Sequence, residues 1–182
     1  MALYAGLDLS LTGTGIVLVN EKGDIQKQQL IKTNAPKNPC SVATVKRVAE
    51  IRSEVLYTLN RECIHLIAVE GFSFGSKGRS LFEIAFLGYA VREGLYQQDF
   101  DFIEPTPGQL KKFVSGKGNA PKNVVMLEVF KRWGVEFADD NLADAYVLAQ
   151  MARSLKAPIG NVKLTQFQQE VIRQLARMEA GK

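Results

Sequence analysis

The first 31 residues constrain the fold more than any other stretch. They hold three β-patterned runs joined by turns too short for anything except antiparallel pairing. Residues 3–10 alternate, with Leu3, Ala5, Leu7 and Leu9 on one face and Tyr4, Asp8 and Ser10 on the other. Thr12-Gly13-Thr14-Gly15 reads as a turn into a second run at 16–19. Glu21-Lys22-Gly23-Asp24 then turns into a third at 25–31. Connectors of this length make a meander. After a loop at 33–39 that carries two prolines, the period changes. Ser41 is placed to cap a helix in which Val45, Val48, Ile51, Val55, Leu56 and Leu59 recur at helical spacing. Residues 64–69 are almost wholly apolar, the pattern of a buried central strand.

A Gly- and Ser-rich loop at 71–80 leads to a predicted helix at 81–96, whose small residues Ala85, Gly88 and Ala90 permit close packing. A short strand at 100–103 ends in Glu104-Pro105-Thr106-Pro107, and helices follow at about 107–114, 121–133 and 141–155. A meander followed by crossover helices implies an α/β fold, with a mixed five-stranded sheet covered by helices on both faces. Thr165 and Gln168 have capping-box spacing. They introduce a helix with the stripe Leu164, Phe167, Val171, Leu175 and Met178, which is expected to pack on its own domain. The chain is accordingly divided into a domain at 1–156 and a C-terminal helical extension at 157–182.

Composition narrows the chemistry. Two cysteines, Cys40 and Cys63, and one histidine, His65, exclude a disulfide framework, a four-cysteine zinc site and a metal site built mainly from histidine. No apolar stretch approaches the roughly 18 residues of a membrane span. The first five residues lack a signal peptide's basic start, so a reducing, cytoplasmic setting is expected. The net charge of +4 is mild, but its distribution is informative. Lys111, Lys112, Lys117, Lys122, Lys131 and Arg132 crowd one stretch, and Asp139, Asp140 and Asp144 follow it. A basic patch beside acids suits a polyanion held against carboxylate-bound metal, though solvated helix faces produce the same run.

Three acidic positions stand out. Asp8 lies in a strand among apolar neighbours, where a carboxylate loses hydration unless it is paired, binds metal or bonds the amides of its own turn. Glu70 ends the apolar run at 64–69, where α/β folds place ligands. Asp140 and Asp144 are four apart and share a helical face. Asp139 and Asp140 are also explained by the helix dipole, whereas Asp144 sits deeper, among small residues that allow close approach to a sheet. Carboxylates on separate elements define a hard-oxygen site, suited to Mg²⁺ or Mn²⁺. Competing motifs are weak. Gly13-Thr14-Gly15 lacks the third glycine of a dinucleotide fingerprint, and Gly116-Lys117-Gly118 lacks Walker spacing.

The order of these acids resembles the RuvC family of Holliday-junction resolvases. Gly6-Leu7-Asp8-Leu9-Ser10-Leu11-Thr12-Gly13-Thr14-Gly15 resembles its first motif, and Ile67-Ala68-Val69-Glu70 with the following Phe/Gly loop its second. Leu110-Lys111-Lys112-Phe113 and Gly116-Lys117-Gly118-Asn119-Ala120-Pro121-Lys122 look like its basic substrate-contact region, and Asp144-Ala145-Tyr146 like its last motif. The compact form is most similar to bacteriophage members.

The resemblance implies an RNase H-like fold and a homodimeric, Mg²⁺-dependent endonuclease that nicks four-way DNA junctions symmetrically. Asp8, Glu70 and Asp144 correspond to metal-binding acids. The family's fourth ligand falls at Asn141, with Asp140 on the same face as an alternative. The implied mechanism has Asp8 bridging two ions, in-line attack by water, and a 5′-phosphate product. Lys117 and Lys122, with Lys111, Lys112, Lys77 and Arg79, would contact phosphates. Phe72 and Phe74 flank Ser73, which holds the place of the family's junction-probing aromatic residue. Either ring could stack on a base or simply close the core. A nuclease acting on RNA–DNA hybrids or flaps uses the same acids, and a non-catalytic branched-DNA binding module on the same fold is the other alternative.

Overall fold

The turns decide how the sheet begins. A computed structural model describes residues 2–38, 40–72, 78–156 and 162–180, with Lys122 and Ala180 described by their backbone alone. Strand β1 (Leu3–Asp8) pairs antiparallel with β2 (Thr14–Val19), which pairs antiparallel with β3 (Ile25–Ile31). In the second turn the Asn20 Oδ1 accepts from the N–H groups of Lys22 and Asp24 at 2.9 and 3.0 Å, and Gly23 takes a φ of +92°. The first turn is shorter than Thr12-Gly13-Thr14-Gly15 suggested, because Thr14 and Gly15 already belong to β2. The Thr14 hydroxyl donates to the Ser10 carbonyl at 2.7 Å and accepts from the Ser10 N–H at 3.1 Å, which closes the loop.

Helix α1 (Ser41–Asn60) then crosses to β4 (Ile64–Val69), which lies parallel to β1. The N-cap of α1 is Cys40, not Ser41. Cys40 has the extended backbone of a cap (φ −147°, ψ 166°), whereas Ser41 is already helical. Helix α2 (Arg79–Gln97) starts two residues earlier than expected and leads to β5, which is only Phe102–Ile103 and lies parallel to β4. Helices α3 (Pro107–Ser115), α4 (Lys122–Trp133), α5 (Asp140–Lys156) and α6 (Gln166–Ala180) complete the chain. The sheet order is β3-β2-β1-β4-β5, the expected mixed five-stranded arrangement.

Alternation along β1 divides the core in two. Leu3, Ala5 and Leu7 pack with Val48, Ile51 and Val55 of α1 and with Leu87, Val91 and Leu95 of α2. Tyr4 faces the other layer, with Phe113, Val125 and Val129 and the buried run of α5. Val171 and Leu175 of α6 join this second core with Leu164 packed against it, so this part of the C-terminal stripe packs on its own chain, whereas Met178 is exposed. Thr165 donates from both N–H and hydroxyl to the Gln168 Oε1 at 3.0 Å. Among the described residues, no helix is long and apolar enough to cross a membrane.

Among the described residues, helix α5 approaches the first two strands backbone to backbone. A methyl at Gly6 would overlap the Ala145 carbonyl and the Ala149 amide nitrogen. One at Gly15 would overlap the Asn141 carbonyl. Glycine within a strand marks such a contact. We expect Gly6→Ala to lower stability by about 3 kcal/mol, because backbone cannot yield as a side chain can. Urea unfolding measures this, with Gly108→Ala as control, since nothing stands nearer than 3.8 Å there. Equal stability of the two variants would contradict the close packing.

Candidate active site

Three elements deliver carboxylates to one end of the sheet. Asp8 is the last residue of β1, is 8% exposed, and stands across from Gly15 in the strand register. Glu70 follows β4 directly. Its N–H donates to the Leu7 carbonyl at 3.0 Å, which locks it beside the end of β1. Asp144 lies one turn into α5, brought down by the helix resting on Gly6 and Gly15. All three line a single open cleft of about 420 Å³.

Asn141 lines the same cleft, and Asp140 is not among its lining residues. Asp140 shares a ridge of α5 with Asp144 but sits a full turn earlier, about 6 Å along the axis. Asn141 stands only about 1.5 Å further along the axis but is turned about 100° around it, and that rotation brings Asn141, not Asp140, to the cleft lining. Asn141 is held from below by Asp139, whose Oδ1 accepts from the Asn141 N–H at 3.0 Å and from its Nδ2 at 2.8 Å. That arrangement assigns the amide nitrogen to Asp139, and the Oδ1 accepts no hydrogen bond among the described residues.

The donors are three carboxylates and an amide oxygen, the chemistry that hard divalent cations take. As placed, no group of three or more Asp, Glu, His or Cys side chains among the described residues closes around an ion. The acids share the cleft without forming a cage, but the donor set fits a divalent cation.

The expected basic residues divide by position. Lys111 lines the cleft with the acids. Lys112, one residue on, turns away and pairs with Glu170 of α6 at 2.8 Å, which holds that carboxyl below its usual range. Arg79 pairs with Glu83 at 2.8 Å and, with Thr44, depresses the Glu83 carboxyl. Arg79 and the exposed Lys117 are outside the cleft lining. Lys122 opens α4 three residues before Val125, a cleft residue, but its side chain lies outside the described residues. So do Ser73, Phe74 and Lys77. Phe72 lines the cleft and is half-buried. Its ring lies against Gly88, sits 4.9 Å from the Tyr89 ring, and lies under the Arg92 guanidinium at 4.4 Å.

A family model, crossover junction endodeoxyribonuclease RuvC, matches residues 4–151, well over half of the chain. The chain belongs to the RuvC family. It is 28% identical over 169 residues to a crossover junction endodeoxyribonuclease RuvC of Thermus thermophilus, covering 88% of this chain and 98% of that protein. A RuvC of Chlamydia muridarum is 30% identical over 121 residues, covering 64% of this chain and 71% of the other. A structure of T. thermophilus RuvC in complex with a Holliday junction substrate superposes with a TM-score of 0.68. It is 27% identical, with 81% of this chain and 90% of that one covered. The RNase H-like fold expected from the resemblance is therefore the fold of this RuvC-family chain.

Arg92 is the cleft residue that sequence reasoning passed over. Its signal was a cation beside Val91, on a helix whose neighbouring turns are apolar. The glycines of β1 and β2 carry no such signal, since in the sequence they are ordinary strand and turn residues.

The placement of the cations gives a direct test on junction binding in EDTA. Lys111→Ala should weaken binding of a four-way junction and reduce its salt slope by about 1, as loss of one phosphate contact does. Lys112→Ala should leave both unchanged. Fluorescence anisotropy across a salt series measures this, and equal effects of the two variants would overturn the division.

Proposed function

We propose that this RuvC-family protein resolves four-way DNA junctions, hydrolysing a phosphodiester in the cleft to leave a 5′-phosphate and a 3′-hydroxyl. The observation that carries the reading is the convergence of Asp8, Glu70 and Asp144 from three elements on one cleft that also holds Lys111. A scissile phosphate is a dispersed anion, and Lys111 supplies the positive charge that positions it without reading bases. Asp8, Glu70 and Asp144 would hold divalent metal, Mg²⁺ with Mn²⁺ as a substitute, and Asn141 would add a neutral oxygen. When bound, the metal activates water and offsets charge on the leaving oxygen. The protein's own part is to fix the donors. Asp8 and Glu70 are held at neighbouring strand ends by sheet hydrogen bonds, and Asp144 is held by a helix seated on glycine. Acting on DNA, the chain would work in the cytoplasm of a bacterium or a phage-infected host.

Symmetric nicking requires two such clefts. Helix α2 shows solvent a stripe of Phe82, Phe86 and Tyr96, at 74%, 42% and 77% exposed, on the layer that does not carry α5. We assign this stripe to a homodimer contact, since large exposed aromatic residues at helical spacing mark an interaction surface. Phe82→Glu with Phe86→Glu should give a monomer by sedimentation that still folds, and an unchanged dimer would exclude the stripe.

The catalytic assignment is tested by Asp8→Asn. We expect junction cleavage to fall at least about a thousandfold, corresponding to roughly 4 kcal/mol of lost transition-state stabilisation. Junction binding in EDTA should be retained. A variant that cuts at the wild-type rate would contradict the site.

A further inference from the structure

Helix α2 carries its aromatic stripe outward, and on its inner edge it carries one charge. Arg92 is 7% exposed, among the buried residues Val91 and Leu95. A buried guanidinium persists only where its donors are used. Here Nε donates to the Glu104 Oε1 at 2.5 Å, Nη1 to the Gly88 carbonyl at 3.0 Å, and Nη2 to the Glu70 carbonyl at 2.8 Å. Its plane lies over the Phe72 ring, 4.4 Å from the centroid. Gly88 makes room for that ring, since a Cβ there would overlap it. One side chain thus ties α2 to the segment after β4 and to the segment after β5.

The Glu70 main chain is consequently held on both sides. Its N–H goes to Leu7, next to Asp8, and its carbonyl goes to Arg92. The next N–H, of Gly71, donates to the Pro105 carbonyl at 2.8 Å. Resting on the functional reading above, we propose that Arg92 is the positioning residue of the active site. Its fork fixes the Glu70 main chain, and with it the height of the Glu70 carboxylate opposite Asp8 and Asp144. Arg92 also lines the cleft, but its charge is matched by Glu104 and three of its donors are already engaged. It therefore acts through Glu70 and not by grasping a phosphate. Lysine cannot replace it, because a point charge on a flexible stem cannot serve three directions in one plane.

The test compares wild type with Arg92→Lys and Glu104→Gln in the full chain. Arg92→Lys keeps the charge that a phosphate contact needs and removes the fork. Single-turnover junction cleavage should fall about a hundredfold, the scale of an ångström misplacement at a reacting centre. Junction affinity in EDTA should not change. Mn²⁺ binding to the DNA-free protein, followed by electron paramagnetic resonance, should weaken. Glu104→Gln, which removes the charge partner of Arg92 but keeps an oxygen for its Nε, should show the same pattern to a smaller degree, and it serves as the measure if Arg92→Lys does not fold. Wild-type cleavage by both variants would overturn the proposal. So would a loss of junction affinity in EDTA that accounts for the loss of rate. If wild type cuts no junction, the functional reading fails, yet Mn²⁺ binding still distinguishes Arg92→Lys from wild type if the positioning role is correct.

Discussion

The structure depends on a helix lying on bare backbone. Helix α5 rests on Gly6 and Gly15, with its Asn141, Ala145 and Ala149 main chain where strand side chains would otherwise stand. Close-packed interiors do not yield to backbone overlap, so the distance between helix and sheet is set by the absence of two Cβ atoms. That distance sets the site. Gly15 is the cross-strand partner of Asp8, and the residue seated on it is Asn141, one turn before Asp144. Any side chain at either glycine would lift the α5 donors away from the carboxylate at the end of β1.

The second constraint comes from the other layer. Glu70 cannot be placed by β4 alone, because it lies just past the last strand residue. Its main chain is fixed by Leu7 on one side and Arg92 on the other. Helix α2 thus serves the cleft through its inner edge and presents aromatic residues to solvent through its outer one. The two faces of the sheet contribute different parts: small residues and the last acid from α5, and a buried cation from α2. Like charges gathered at one point are unfavourable unless something positive stands between them. The cleft holds Lys111 beside the acids and leaves an all-oxygen donor set for a divalent cation.

Much of this was legible in the chain itself. The strands at 25–31 and 64–69 have the bounds that their patterns indicate, because alternation and continuous apolarity report burial directly. The small residues around Asp144 announced a close helix–sheet contact. The strand glycines that complete it did not stand out, since a glycine's meaning depends on what lies above it. Helical spacing puts Asp140 on the ridge of Asp144, but the next residue, Asn141, is rotated about 100° from it and is the one that lines the cleft. The basic run points to Lys112 as a phosphate contact, whereas its partner Glu170 lies far along the sequence on α6. Cys40 took the capping position expected of Ser41 because the cap is defined by backbone geometry, and no side-chain bond was available to mark it. Phe72 shows the same limit. An aromatic residue after an acid can serve a base or a core, and only Gly88, Tyr89 and Arg92 around it show which surfaces its ring already meets.

The most direct measurement incubates the purified chain with a labelled immobile four-way junction, a linear duplex and an RNA–DNA hybrid, with Mg²⁺ and with EDTA. Paired symmetric nicks on the junction alone, abolished by EDTA, are the expected result. Cutting chiefly of the hybrid, or tight junction binding with no cleavage in Mg²⁺, would contradict the assignment of the Asp8, Glu70 and Asp144 cleft to junction resolution.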